Sequence, residues 1–160
     1  MNDLANPLLD LSGPPRFSAI LPEQVEPALD HVLAENRRTL KQLLADRGSF
    51  TWESFAQPIE DMRERLARLW SPVAHLHAVM DNEALRAAYN AGLPKITDYF
   101  TELAQDERLY AGYKAIAASP EFATLSQAQK KIIENTLRDF RLAGAELPPE
   151  KKARFKAVEQ

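Results

Sequence analysis

The chain has 160 residues, 45% of them hydrophobic and 27% charged, which is the balance of an ordinary globular protein. A net charge of −3 excludes the basic surface that nucleic-acid binding requires, and the lack of cysteine excludes a disulfide framework and a thiol nucleophile. No apolar run approaches the roughly 20 residues of a membrane-spanning helix, and Met1–Asp3 does not begin a signal peptide. We therefore expect one soluble, cytoplasmic domain with no nucleic-acid or membrane partner.

Residues 1–21 are predicted to form an extended arm. Pro7, Pro14 and Pro15 fix φ and disfavour helix at the residue before each of them. The arm carries enough apolar side chains to predict that it lies on the helices, namely Leu8, Leu9, Leu11, Phe17, Ile20 and Leu21.

The first helix is predicted to begin near Pro22 and to end before Gly48, since proline suits a first turn and glycine a C-terminal cap. Its apolar residues recur with helical spacing and predict one buried face, made of Val25, Leu29, Val32, Leu33, Leu40, Leu43 and Leu44.

The central helix follows a short turn for which Thr51 is the predicted N-cap. Its apolar residues are separated alternately by three and four positions, which predicts one continuous buried stripe, namely Ile59, Met62, Leu66, Leu69, Val73, Leu76 and Met80. Pro72 falls inside the stripe. A proline there costs on the order of 3 kcal/mol unless the helix bends, so a kinked central helix is predicted.

The third helix is predicted after a turn at residues 81–83, with Gly92 and Pro94 expected to bend or break it. Its predicted buried face consists of Leu85, Tyr89, Leu93, Ile96, Phe100 and Leu103.

Further helices are predicted over 107–118 and from the capping box of Ser126 and Gln129 to a C-terminal glycine at Gly144. One more helix opens at residue 148 and is still amphipathic at Gln160, so the chain looks cut. These features predict an all-α, multi-helix bundle with an arm at 1–21, a bundle at 22–147 and the start of a truncated helix at 148–160.

The three histidines do not form a predicted metal site. His75 and His77 point about 200° apart on a helix, so they cannot share an ion. His31 and Glu35 could face one ion, but zinc sites need three or four ligands. His-Glu-x-x-His, Gly-x-Ser-x-Gly and glycine-rich phosphate loops do not occur, so no catalytic, cofactor-binding or metal-binding residue is assigned.

Aromatic side chains offer a second kind of site. Trp52, Trp70 and Tyr89 could line a groove, although aromatics at helical spacing more often belong to a core, which is the favoured interpretation for Trp70. The carboxylates stand beside lysine or arginine on helix surfaces, so that no acid–base pair can be selected among them.

Short blocks of sequence, in the same order as in the family, carry a resemblance: Asn6–Leu9, Phe17–Glu23, Thr51–Glu53, Trp70–Leu76, Glu83–Arg86, Ala128–Lys131, Leu137–Phe140 and Leu147–Pro148. With them the chain resembles the N-terminal part of the thimet oligopeptidase family over nearly its whole length. Trp70 and Ala74 depart from the phenylalanine and serine expected at those two positions.

The resemblance implies a nearly all-helical zinc metalloendopeptidase that hydrolyses short peptides in the cytoplasm. It further implies that these helices form part of the substrate-channel wall, while the zinc site lies in a C-terminal catalytic half that would be this segment's partner. The segment alone is then expected to be inactive. The alternative is a free-standing helical bundle that binds a peptide or partner helix in a groove between its helices.

Overall fold

The computed structural model describes residues 6–45 and 50–147. Across these residues the chain forms α-helices and no β-strand, which confirms the predicted all-α fold class. The α-helices are α1 (Pro22–Ala45), α2 (Gln57–Val79), α3 (Glu83–Gln105), α4 (Glu107–Ala118), α5 (Glu121–Thr124) and α6 (Gln127–Leu142). A 3₁₀ turn at Phe17–Ala19 precedes α1, and a π-helical turn at Trp52–Ala56 leads into α2.

The described residues belong to two compact units. The first unit holds residues 6–45 and 58–99, and the second holds residues 50–57 and 100–147. The cap proposed at Gly48 and the helix proposed over 148–160 lie outside the described residues. The domain boundaries drawn from the sequence stay predictions.

The core of the first unit is built from the apolar faces of its helices. The α2 stripe is buried from Ile59 to Leu76, as its spacing predicts. The prediction is wrong at its last member, because α2 ends at Val79 and leaves Met80 67% exposed. Helix α2 continues through Pro72, whose side chain is buried, and the kink there stays a prediction.

One polar side chain lies inside this core. Asn36 of α1 is only 1% exposed, and its Nδ2 donates a hydrogen bond of 3.3 Å to the backbone carbonyl of Met62 in α2. Because a buried amide without a partner would cost about 1–3 kcal/mol, this bond fixes α1 and α2 in one register.

The buried face predicted for α3 is partly wrong. Leu93 and Phe100 are 41% and 44% exposed, whereas Tyr99 is buried with 1% exposure. The helix also runs unbroken through Gly92 and Pro94. The predicted face is displaced because Gly92, and not Leu93, lies on the buried side of α3. A glycine adds no apolar side chain to the pattern from which the face was predicted.

The arm lies on the first unit, as its apolar content predicts. Leu8 is buried, the Asn6 Nδ2 donates to the carbonyl of Gln24 at 2.9 Å, and Arg68 donates to the carbonyl of Gly13 at 3.0 Å. The expectation of burial is wrong for Phe17 and for Leu21, the residue before α1, which are 42% and 48% exposed.

In the second unit, α4 packs against α5, α6 and the π-helical turn. Phe55 from the turn is buried, and its ring lies 5.6 Å from that of Tyr113 in an edge-to-face arrangement. The predicted N-cap at Thr51 is confirmed, because its hydroxyl accepts from the Ser54 amide and the Ser54 hydroxyl accepts from the Thr51 amide.

Both ends of α6 match their predictions. Ser126 and Gln129 form a reciprocal capping box at the N-terminus. At the C-terminus Gly144 adopts φ 85°, and the amide of Ala145 donates to the carbonyl of Phe140 at 2.9 Å. Such a left-handed glycine closes the helix because it satisfies the last carbonyls.

Candidate functional site

Three half-buried rings stack between α2 and α3 in the first unit. Tyr89 lies between Trp70, with ring centroids 5.1 Å apart, and His77, with centroids 4.1 Å apart and planes 6° from parallel. The far edge of the Trp70 indole lies against Gly92, where an added β-carbon would be 2.8 Å from the ring. Trp70 is therefore committed to helix packing, although it is half-buried rather than fully in the core.

Trp52, the other candidate groove residue, belongs to the second unit and is 6% exposed. Its indole Nε1 donates to the Gln57 Oε1 at 3.0 Å, and its backbone amide donates to the carboxylate of Glu121 at 3.3 Å. A tryptophan with its ring buried and its N–H satisfied serves packing. Of the three aromatic residues singled out in the sequence, Trp70 and Tyr89 therefore stack on each other in the first unit, and Trp52 is buried in the second.

The histidines occupy separate surroundings. His75 is exposed and its ring lies 5.4 Å from that of Phe17, whereas His77 is stacked on Tyr89 with its Nε2 3.9 Å from the Asp81 carboxylate. His31 and Glu35 do face each other, with 3.4 Å between Nε2 and Oε2.

The Glu35 carboxylate already pairs with an arginine side chain. The guanidinium Nη2 of Arg65 lies 2.5 Å from the same Glu35 oxygen that His31 faces. Within residues 6–45 and 50–147, no three histidine, cysteine, aspartate or glutamate side chains lie close enough to hold a metal ion. The zinc implied by the family resemblance therefore has no fitting ligand set among these residues, and no catalytic step through it is derived.

Lys95 of α3 holds two carboxylates of α1. Its Nζ lies 2.7 Å from an Asp30 oxygen and 2.9 Å from a Glu26 oxygen. The hydrogen bond to Asp30, followed by that to Glu26, raises the pKa of Lys95 above its ordinary 10.5. The cluster therefore joins α3 to α1 through one ammonium group shared by two carboxylates.

A small cleft lies under the arm, between it and the outer side of α2. It is lined by Pro7, Leu8, Asp10, Leu11, Gly13, Pro15, Ile20, Arg68 and Pro72. Its volume of about 20 Å³ is that of roughly one water molecule.

The titratable groups with displaced pKa values in the second unit also serve structure. Burial, and then its hydrogen bond to Glu146, raises the pKa of Tyr110. Asp106 caps α4, and the hydrogen bond from the Arg108 side chain lowers the pKa of its carboxyl. Neither change brings a pKa toward neutrality, where a general acid or base works best.

Residues 29–152, more than half of the chain, match the neurolysin/thimet oligopeptidase N-terminal domain. The chain belongs to this family. The resemblance carried by the sequence blocks is thereby confirmed.

Curated relatives agree with this assignment. The chain is 45% identical over 152 residues to the oligopeptidase A of Haemophilus influenzae, and 41% identical over 152 residues to that of Escherichia coli. Each match covers 95% of this chain but 22% of the relative. A probable cytosolic oligopeptidase A of Arabidopsis thaliana is 30% identical over 156 residues. The chain thus spans about a fifth of the length of the curated relatives it matches.

Sequence reasoning missed the two glycines that allow close packing. Gly92 faces Trp70 and Gly112 faces Phe55, and each would bring an added β-carbon into the ring. Because glycine inside a helix costs about 1 kcal/mol relative to alanine, a glycine on an apolar helix face was the available signal.

Across the described helices, none is both long and apolar enough to cross a bilayer.

Proposed function

We propose that this chain is the N-terminal helical region of a zinc-dependent oligopeptidase that hydrolyses short peptides in the cytoplasm. In this proposal the segment forms part of the wall of the substrate channel, and the catalytic zinc site lies in a C-terminal half outside these 160 residues. That half and the peptide substrates are its partners.

The observation that carries the proposal is the family match, together with relatives that are named oligopeptidase A and of which the matched segment covers 22%. A peptidase of that length leaves ample chain for a metal centre elsewhere. The members of the zinc peptidase class use the metal to lower the pKa of a bound water and to polarise the scissile carbonyl.

The packing of the helices supports the role of a wall. Close contacts hold neighbouring elements together within each unit, at Gly92, Asn36 and Lys95 in the first unit and at Gly112 in the second. A wall that excludes large substrates by steric means needs rigid helices and no reactive groups. Lys95, Tyr110 and Asp106, whose pKa values are displaced, serve helix packing and capping.

Two preparations test the proposal. The longest polypeptide that the gene encodes and the 160-residue chain are each purified, assayed on a quenched-fluorescence peptide of about ten residues, and analysed for zinc by elemental mass spectrometry. We expect hydrolysis and stoichiometric zinc in the longer polypeptide, with loss of activity on chelation, and neither in the 160-residue chain. Stoichiometric zinc in the 160-residue chain, or an inactive longer polypeptide, contradicts the proposal.

The contribution of the wall is tested by peptide length. Hydrolysis rates on a series of peptides of increasing length are compared for the catalytic half with and without this segment. We expect a preference for short peptides only when the segment is present. An unchanged length preference would remove the wall role and favour the alternative, a helical module for protein interaction.

A further inference from the structure

The arm covers one side of α2. Arg68, Pro72 and His75 are separated by four and then three positions, so they lie on the same side of the helix. The Arg68 Nη2 donates to the carbonyl of Gly13 in the arm at 3.0 Å, and the ring of Phe17 lies 5.4 Å from that of His75. The arm therefore passes over Pro72, which is buried and lines the cleft under the arm.

Pro72 interrupts the hydrogen bonding of α2 at this place. In an α-helix each backbone N–H donates to the carbonyl four residues earlier, and proline has no N–H. The carbonyl of Arg68 therefore receives no hydrogen bond from position 72, although α2 continues from Gln57 to Val79. Where proline removes a helical bond, an inserted water is one of the groups that can replace it.

The cleft under the arm provides what a bound water needs. Arg68 and Pro72 both line it, and so do Asp10 and Gly13 of the arm. The backbone carbonyl of Arg68 is an acceptor on α2, while the Asp10 carboxylate and the Gly13 carbonyl are acceptors on the arm. A site for one water requires about 10–15 Å³, and the cleft has about 20 Å³.

The charges around the cleft favour a neutral occupant. The hydrogen bond from the Ser12 hydroxyl lowers the pKa of the Asp10 carboxyl below its ordinary 3.8, so this group is negative at neutral pH and repels an anion. The Arg68 guanidinium on the opposite wall repels a metal cation. Water is neutral and carries two hydrogens, so that it can donate to α2 and to the arm at the same time.

We propose that the cleft under the arm is the binding site of one ordered water molecule. The water donates one hydrogen bond to the carbonyl of Arg68 and the other to an acceptor of the arm, either the Gly13 carbonyl or the Asp10 carboxylate. It supplies to α2 the hydrogen bond that Pro72 cannot donate, and it joins the arm to the helix. The inference does not depend on the proposed peptidase function, because it concerns this cleft alone.

Crystal structures of three proteins test the inference. The longest polypeptide that the gene encodes is compared with its Pro72→Ala and Pro94→Ala variants, at a resolution that defines ordered waters and at room temperature, so that freezing does not trap solvent. Alanine at position 72 restores an N–H that can reach the Arg68 carbonyl. Pro94→Ala is the matched control, because Pro94 also lies inside a helix but is exposed and does not line the cleft.

We expect the wild type and Pro94→Ala to hold one water at about 2.5–3.0 Å from both the Arg68 carbonyl oxygen and an oxygen of the arm. In Pro72→Ala the new N–H should bond to the Arg68 carbonyl, and no water should remain within hydrogen-bond distance of that oxygen. A wild-type cleft without water, or with a water that contacts only the arm, overturns the inference even if neither variant folds. A water that keeps the same two contacts in Pro72→Ala also overturns it, because its site would not arise from the missing N–H.

Discussion

The phenyl ring of Phe55 lies where the β-carbon of any larger residue at position 112 would have to be placed. Phe55 is 1% exposed and rests edge-to-face on Tyr113, one residue further along α4. The ring therefore has no route outward into solvent. The absence of a side chain at Gly112 is what allows the π-helical turn to approach α4 this closely.

Replacing Gly112 by alanine is predicted to destabilise the protein. Overpacking a core costs about 1–3 kcal/mol, while the gain in helix propensity returns about 1 kcal/mol, so we expect a net loss of about 1 kcal/mol in urea unfolding. Gly13→Ala is the control, because an added β-carbon there meets nothing within 4 Å. Phe55→Leu should lower the free energy of unfolding less in the Gly112→Ala background than in the wild type. A Gly112→Ala variant more stable than the wild type would refute the close contact.

Removing the charge of Lys95 is predicted to weaken the contact between α1 and α3. Lys95→Met should lower the free energy of unfolding by about 1 kcal/mol at low ionic strength and by less in about 1 M salt, since salt screens a partly exposed cluster. Its pKa is raised in the folded state, so the contribution is complete below the unfolded value of 10.5 and is lost as the pH rises through the folded value.

The control for this prediction is Lys131→Met. The Lys131 side chain is 66% exposed and 3.7 Å from Glu134 of the same helix, so its loss should change stability little. Equal effects of the two substitutions at low salt, measured by urea unfolding, would show that the carboxylates of α1 do not stabilise the fold through Lys95.

The cap of α4 predicts a dependence on acid. The Arg108 hydrogen bond lowers the pKa of Asp106 below 3.8, so the carboxylate stabilises the fold above pH 3.8 and this contribution is lost as the pH falls through the folded value. Asp106→Asn keeps a good N-cap but not the charge, and should cost about 0.5 kcal/mol at neutral pH. Thermal melts of the two proteins should converge as the pH falls below 3.8, and a difference that does not shrink with falling pH contradicts this assignment.

Gly144 is predicted to tolerate asparagine better than alanine. Its φ of 85° lies in the left-handed region, where a β-carbon costs roughly 1–2 kcal/mol. Asparagine adopts this conformation more readily and is found at the same cap position. Chemical unfolding should therefore rank wild type above Gly144→Asn and Gly144→Ala lowest, and an alanine variant as stable as the wild type would contradict the strained cap.

Local patterns of the sequence predicted the features that depend on neighbouring residues. The residues of each capping pair, Thr51 with Ser54 and Ser126 with Gln129, lie three positions apart. The sequence predicted Thr51 and the second pair, and the structure adds Ser54 as the partner of Thr51. The separate surroundings of His75 and His77 followed from helix geometry alone. The confirmed part of the α2 stripe likewise needed no information from other helices.

Features that depend on distant residues could not be predicted in this way. The burial of Tyr99 in place of Phe100 follows from Gly92 lying inward, and hydrophobicity does not reveal an inward glycine. Lys95 meets Asp30 across 65 positions of sequence, which no local spacing encodes. The half-buried state of Trp70 likewise requires Tyr89 and Gly92 to be placed first.

The two tryptophans of the chain fall one in each compact unit, with Trp70 in the first and Trp52 in the second. Variants that keep a single tryptophan therefore give each unit its own fluorescent reporter without any added label. Coincident denaturation curves from the two reporters would define one cooperative transition, and separated midpoints would assign an order of melting. The same pair would reveal whether an added peptide stabilises one unit before the other.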